Sequence, residues 1–399
     1  MKKILLLGGS HFQVPSVKAA KRLGYYAVTC DYLPDNPGHR YADEYYNVST
    51  TDKDAVLKLA QSLGIDGIVC YASDPAAPTA AYVAEKMGLP GQPCRAVDIL
   101  ANKDMFRAFL SQNGFRVPFA RGYEAEAEAR LDWERFQKPV MVKPVDSSGS
   151  KGVTKISRVD ELSNAVRYAL GFSRSKRFIV EEYLEKFGYQ IAGDGFSVDG
   201  RLAFRSFANE HFNLASGNPF VPVGESWPYN MPERVHRKIH DEIQRALVLL
   251  GMKTGAYNFD VRIDAEINVF LMEIGPRNGG NLIPQVTQYA TGVDMVEYTI
   301  QAAMGLDCSS LAMKPVQGFW SSYMVHSKKP GILRSVVFSE AFRNNHLVEF
   351  EMMAGVGEKV DAFNGSNGTL GTMILKFASM DEMLHMMDHM DDYVTVNVE

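Results

Sequence analysis

The sequence predicts an α/β protein that continues as α+β, with a doubly wound parallel sheet at the N-terminus followed by hairpins and long helices. Three observations predict it. Residues 1 to about 97 alternate short apolar runs with amphipathic stretches, a glycine follows most of those stretches, and from residue 98 the rhythm changes to strand–turn–strand units.

Taken in order, "KKILLLGG" reads as a buried strand ending in a glycine turn. "QVPSVKAAKRLG" has helical spacing and a glycine stop, and "YYAVTCD" is a second strand ending at Asp31. "DKDAVLKLAQSLG", "IDGIVCYASD" and "PTAAYVAEKMGLPG" continue as helix, strand and helix. Ligands of such sheets sit beyond the carboxyl ends of the strands, which is where Gly8, Gly9, Ser10, Asp31 and Asp74 fall. Asp74 is therefore a candidate substrate contact, and turn or cap chemistry is the competing account of both aspartates. "GGSHFQ" is not a G-x-G-x-x-G and no Walker-type glycine-lysine loop occurs, so the sequence gives little support for a dinucleotide site and none for a P-loop.

In the second region "NKDMFRAFLSQNG" is a helix, and "KPVMVKPVDSSGSKGVTKIS" is two strands joined by a Gly/Ser loop. "RFIVEEYL" is a strand, and "GYQIAGDGFSVDGRLAFRSFANEH" reads as strand, hairpin and strand. "PERVHRKIHDEIQRALVLLG" is a long amphipathic helix, "GAYNFDVRIDAEINVFLMEIGPR" is a hairpin, and mixed strands and helices close the chain.

Composition narrows the function class. A net charge of −5 without a Lys/Arg-rich run argues against nucleic acid or an anionic membrane as the main partner. No apolar run is long enough to span a bilayer. The apolar stretch in "MKKILLLGGSH" is short and lacks a small-residue cleavage site, so it reads as a first strand rather than a secretory signal. Four scattered cysteines without paired spacing fit a reducing cytoplasm.

Three stretches point to chemistry. In "VKPVDSSGSKGV" a strand delivers Lys143 into a loop with Ser148, Gly149, Ser150 and Gly152, and Lys151 lies near its tip. Glycines let backbone N–H groups approach phosphate oxygens, and lysines add positive charge; the alternative is an ordinary hairpin tip. "IVEEYL" sets Glu181, Glu182, Tyr183 and Leu184 at the end of an apolar strand, where backbone groups and apolar walls could meet a flat base. In the hairpin, a four-residue turn over Ala265 to Asn268 would pair Asp264 with Val269 and put Asp260 opposite Glu273. Two like charges so placed repel unless they share a cation, and all-oxygen ligands suit Mg²⁺; the alternative gives one acid to solvent and the other to an arginine such as Arg262.

The order of these pieces resembles the ATP-grasp superfamily of carboxylate–amine and carboxylate–thiol ligases, over roughly residues 1 to 306. The tail, with "KKPGILRSV", "GVGEKV" and "TLGTMILKFASMDEML", is similar to the closing lobe of the amino-acid ligase branch; biotin-carboxylase-like and carbamoyl-phosphate-synthase-like branches share the core. The resemblance implies an N-terminal domain over 1–97, a two-lobed ATP-grasp domain over 98–306 with a lid at about 115–180, and a small C-terminal α+β lobe over 307–399.

The resemblance also implies roles. Lys103 and Lys143 would contact nucleotide phosphates, residues 146–152 would form the lid loop, Glu181 to Leu184 the adenine hinge, and Gln190 would lie near the ribose. Asp260 and Glu273 would bind Mg²⁺, with Mn²⁺ as a substitute, and Arg277 would steady the transferred phosphoryl group. The region 209–228 would line the acceptor pocket, making Glu210, His211 and Glu225 candidate substrate contacts, although loop structure accounts for them as well.

One position departs from the family's E-I-N-P-R, because Gly275 stands where the asparagine ligand belongs. The hairpin register puts Asn258 opposite Gly275, so Asn258, or failing it Asn278, is the expected replacement ligand; water is the blander alternative. The implied activity is an ATP- and Mg²⁺-dependent ligase that activates a small carboxylate, an amino acid first, as an acyl phosphate for an amine. The alternatives are carboxylation of a purine precursor from bicarbonate, as N5-carboxyaminoimidazole ribonucleotide synthetases do, and a nucleotide-binding module without turnover. The partners implied are small molecules, with a homodimer through the first domain as a further expectation.

Overall fold

A computed structural model describes residues 1–213 and 218–399. Its N-terminal sheet is wholly parallel, in the order Glu44–Asn47, Tyr26–Asp31, Lys3–Leu7, Gly67–Cys70. Alternate residues of a strand point to opposite faces, so Leu5 and Leu7 pack with the helices Lys53–Leu63 and Ala77–Met87, and Ile4 and Leu6 pack with Val14–Arg22. The second face is completed from far along the chain by Val296 and Ile300 of the helix Met295–Ala303. That helix ties the N-terminal domain to the body.

A second sheet, antiparallel, runs Ala120–Tyr123, Phe178–Glu182, Val140–Pro144, Thr154–Ile156. The helix Leu162–Phe172 covers it through Leu162, Ala165, Val166 and Ala169.

The largest sheet has eight strands in the order Val269–Gly275, Gly255–Ile263, Gln190–Val198, Arg201–Phe212, Pro222–Trp227, Phe319–His326, Thr369–Phe377, Leu347–Met352. The helix Glu233–Leu250 buries Val235, Ile239, Ile243 and Leu247 against it, the stripe that its i, i+4 spacing demands. The sheet crosses residue 307 without a break, since Pro222–Trp227 pairs with Phe319–His326.

Two local readings are corrected here. Between His211 and the long helix the sequence reading placed no element, whereas Pro222–Trp227 is a strand, hydrogen-bonded on both sides; Leu214 to Gly217 lie outside the described residues. The helix Cys94–Ala101 has no counterpart in the sequence reading.

The hairpin turn also differs from expectation. Ile263, not Asp264, pairs with Val269, because the Asp264 carboxylate accepts from the backbone N–H of Glu266 (3.1 Å) and Asn268 (2.8 Å) and closes a longer turn. A bulge at Met272 then restores the register, so Asp260 still faces Glu273 and Asn258 still faces Gly275. The bulged carbonyl of Met272 accepts from Arg107 Nη1 at 2.8 Å.

Candidate functional site

The four-stranded antiparallel sheet and the eight-stranded sheet border a cavity of about 520 Å³. Lys143, the loop Ser147 to Lys151 and Tyr183 line it from the side of the smaller sheet. Gln190, Glu210, Asp260, Arg262 and Glu273 line it from the body.

At one end Asp260 and Glu273 face each other across the hairpin. Among the described residues Asp260 Oδ1 is buried without a hydrogen-bond partner, and burial together with the Glu273 charge pushes its carboxyl up to about 6. An orphaned carboxylate oxygen beside a second carboxylate is the donor set a hard divalent cation takes when water and phosphate complete its shell. The residues present therefore fit Mg²⁺. Among the described residues no group of three or more His, Cys, Asp or Glu gathers for a metal, so the protein's share is this pair. Lys103 Nζ lies 3.1 Å from Glu273 Oε2 and donates to the carbonyl of Ser147 at 2.8 Å. It joins the acid pair to the Gly/Ser loop.

Lys143 is held by a buried ion triad. Its Nζ donates to Glu181 Oε1 at 2.8 Å, and Arg107 Nε donates to Glu181 Oε2 at 2.5 Å. Burial pushes the Glu181 carboxyl up, but the two cations outweigh it and hold it at about 2. Burial also lowers the Lys143 ammonium from its usual range. Glu181 is thus a strut rather than a group open to the cavity.

The rest of the expected adenine hinge is divided. Tyr183 lines the cavity with Lys155 Nζ 3.5 Å from its ring centroid. The Glu182 carboxylate turns away to accept from Gln137 N–H at 2.7 Å, and the Leu184 carbonyl accepts from Arg262 Nη1 at 2.9 Å. Gln190 does reach the cavity, where it accepts from Arg262 Nε at 2.7 Å and donates to Glu210 at 2.5 Å. In the loop, Ser148, Gly149 and Ser150 border the cavity, and Ser150 Oγ donates to the carbonyl of Phe220 at 2.7 Å. Gly152 does not border it. There a Cβ would meet the Ala169 backbone at 3.2 Å, so glycine lets the loop pass the helix Leu162–Phe172.

Arg277 lies beyond the acid pair, clamped by Asp74. Burial opposes the guanidinium charge, Asp74 outweighs it, and the same pairing keeps the Asp74 carboxyl below its ordinary value. Asp74, Lys103, Glu273 and Gly275 also border a second cavity of about 430 Å³ against the N-terminal domain, which meets the first at Lys103, Ser147 and Glu273.

Neither expected replacement ligand borders the main cavity. Asn258 Nδ2 donates to Gly193 O at 3.2 Å and Asp194 Oδ1 at 3.0 Å, and the residue does not border the main cavity. Asn278 is fully buried with its Oδ1 taken by Thr299 at 2.8 Å. His211 borders the cavity, with Nδ1 2.7 Å from Asp388 and Nε2 2.8 Å from Ser226 Oγ, and burial lowers its imidazole pKa. Glu225 sits behind Glu210 in the next strand.

In the N-terminal domain, Asp31 accepts from Gly9 N–H and Asn36, and the His39 ring would be 2.1 Å from a Cβ at Gly9. Turn chemistry accounts for Asp31. Several cavity residues escaped the sequence reading, among them Lys155, Lys186 and Asp388, the last from the C-terminal helix Met380–Asp388. Arg107, which supports Lys143 through Glu181, was missed with them; its only local sign is a charge on the apolar stripe of "KDMFRAFL".

Comparisons with known proteins agree with this geometry. Residues 136–285 match the ATP-grasp domain. An uncharacterised protein of Sinorhizobium fredii is 28% identical over 278 residues, covering 67% of this chain but only 55% of that protein's length. The formate-dependent phosphoribosylglycinamide formyltransferase of Methanocaldococcus jannaschii is 26% identical over 78% of this chain and 79% of its own. The crystal structure of an L-amino acid ligase from Bacillus licheniformis superposes with a TM-score of 0.83 at 21% identity, over 100% of this chain and 99% of that one. Residues 136–285 thus form an ATP-grasp domain, and the chain shares the fold of the L-amino acid ligase along its whole length.

Proposed function

We propose that the chain is an ATP- and Mg²⁺-dependent ligase that activates a small carboxylate, an amino acid in the first instance, as an acyl phosphate for attack by an amine. The observation that carries this reading is the Asp260–Glu273 pair, with one orphaned oxygen, set beside Lys103 and Lys143 at one end of the cavity. The relative named for formate and phosphoribosylglycinamide, and the one named an L-amino acid ligase, support a carboxylate and an amine as the two reactants.

In the proposed reaction a carboxylate oxygen attacks the γ-phosphorus, and ADP leaves with the electrons of the broken P–O bond. The amine nitrogen then attacks the acyl carbon, inorganic phosphate leaves, and the nitrogen gives up a proton. Asp260 and Glu273 would hold the cation, which when bound neutralises charge between phosphate oxygens. Lys103 and Lys143 would donate to the phosphates from fixed positions, since their partners Glu273, Ser147 and Glu181 already orient them. Arg277, held by Asp74, would face the charge that grows during transfer. The loop Ser147 to Lys151 would keep water from the acyl phosphate. Tyr183 would give adenine a flat wall, with Lys155 on its ring.

The test is ADP release from Mg²⁺-ATP against pooled amino acids and amines, with bicarbonate and the purine precursor assayed separately and Glu273→Gln as the blank. Release that needs two organic substrates and vanishes in the blank is the expected result. Release with bicarbonate alone as the carboxyl source would move the reading to carboxylation, and no release despite ATP binding would move it to a binding module.

A further inference from the structure

Glu225 poses a problem that the proposed chemistry does not solve. Its side chain is nearly fully buried (6% exposed), and its Oε2 makes no hydrogen bond among the described residues. Buried polar atoms are matched as a rule, because an unmatched one forfeits its bonds to water. Protonation does not supply the missing partner at Oε2, although burial and the neighbouring charges of Glu210 and Asp194 push this carboxyl well up.

The cation that acts on Glu225 is already paired. Arg277 is clamped by Asp74, Arg262 is spent on Gln190 and the Leu184 carbonyl, and Lys186, which lines the main cavity, acts on Glu210. The unmatched group is therefore shaped for something that arrives.

The sheet register shows what surrounds it. Glu225 lies directly opposite Glu210 in one neighbouring strand and Ser322 in the other, and cross-strand partners share a face. Glu210 borders the main cavity, whereas Ser322 Oγ is also buried without a partner. Phe212, two residues beyond Glu210 on the same strand, lines the cavity as an apolar wall. Two carboxyls and a hydroxyl in a row present three acceptors, the number of donors on a primary ammonium. A metal fits less well, because no group of three or more acids, histidines or cysteines converges for one among the described residues.

We propose that Glu225 and Glu210, with Ser322 Oγ as third acceptor and Phe212 as wall, form a subsite for a primary ammonium group carried by one of the two substrates. The subsite rests on reading the main cavity as the reaction chamber, so its test is kept apart from turnover.

The experiment is thermal denaturation of the full chain in amine-free buffer, titrated with n-propylammonium chloride and, at matched ionic strength, with sodium chloride plus n-propanol. Wild type should gain Tm with the ammonium and not with the control. Glu225→Gln should melt no lower than wild type without ligand, since it loses no bond, and its apparent Kd for n-propylammonium should weaken by about tenfold or more. Ser322→Ala should weaken the response to a smaller extent, and it serves as the readout should Glu225→Gln not fold. A wild-type response no larger than the salt control would overturn the subsite, as would responses that neither substitution changes. A purely structural Glu225 would lower the ligand-free Tm on substitution and leave the ammonium response alone. Failure of ADP release in every pool would sink the ligase reading without touching this titration, and ADP release without an ammonium response would sink the subsite alone.

Discussion

Asp74 grips Arg277 with both oxygens, Nε to Oδ1 at 2.7 Å and Nη2 to Oδ2 at 2.5 Å, across 203 residues of sequence. The N-terminal domain thereby fixes the guanidinium that follows the acid pair in the body. Gly275 makes room for this clamp: a Cβ there would lie 2.9 Å from Asp74 Oδ1 and 3.3 Å from the guanidinium. The departure from the family's asparagine is thus a packing consequence of the Asp74–Arg277 pair.

Asp74→Ala should lower kcat/KM by roughly a hundredfold, the scale of a misplaced transition-state group, while ATP affinity stays within a factor of two or so. Gly275→Asn should do the same rather than improve the enzyme, because its side chain must displace the clamp. Steady-state kinetics with fluorescent-nucleotide binding checks both, and a more active Gly275→Asn would contradict the packing account.

Asn258→Ala should leave the Mg²⁺ dependence of activity unchanged, since its amide is committed to Gly193 and Asp194. The substitution should destabilise the fold instead, by about 1–3 kcal/mol, because it removes a donor from the buried Asp194. Denaturant titration and a Mg²⁺ activity curve on the same variant separate the two effects.

Asp260 gives a pH signature. Its folded carboxyl titrates at about 6, against about 3.9 in an unfolded chain. The native state therefore binds this proton more tightly, so the contribution is fully present below pH of about 4 and is lost as pH rises through about 6. Glu210 at about 8 and Asp194 at about 7 add terms of the same sign at higher pH, so the test is a difference between proteins. Asp260→Asn should remove the fall between those two values and should abolish stabilisation by Mg²⁺-ATP. In wild type, Mg²⁺-dependent stabilisation should strengthen as pH rises past the same point, because cation and proton compete.

Glu181→Ala removes the carboxylate that Arg107 and Lys143 share and should cost about 3–5 kcal/mol of stability, as removal of one member of a buried ion group does. Chemical denaturation reads this directly. Glu182→Ala, whose carboxylate only receives Gln137 N–H at the surface, should cost far less.

Much of this was legible in the sequence because it is local. Strand and helix periods set the N-terminal sheet, and hairpin symmetry set Asp260 against Glu273. That pairing survived a wrong turn assignment only because the Met272 bulge added back the residue that the longer turn removed. The strand Pro222–Trp227 opens on a proline, which at a strand's first position costs no ladder bond, and its short run shows no clear period-2 pattern. Arg107 and Asp388 were out of reach for another reason. Each acts through partners 74 or more residues away, Glu181 for one and His211 for the other, and no local pattern encodes such a contact.

The most direct test of the central claim follows oxygen. Once the pooled assay has named a carboxylate substrate, that carboxylate is labelled with heavy oxygen in both positions and the inorganic phosphate is analysed by mass spectrometry. An acyl phosphate predicts one heavy oxygen transferred to each phosphate released, and no such transfer with Glu273→Gln. Product formation with unlabelled phosphate would contradict the account.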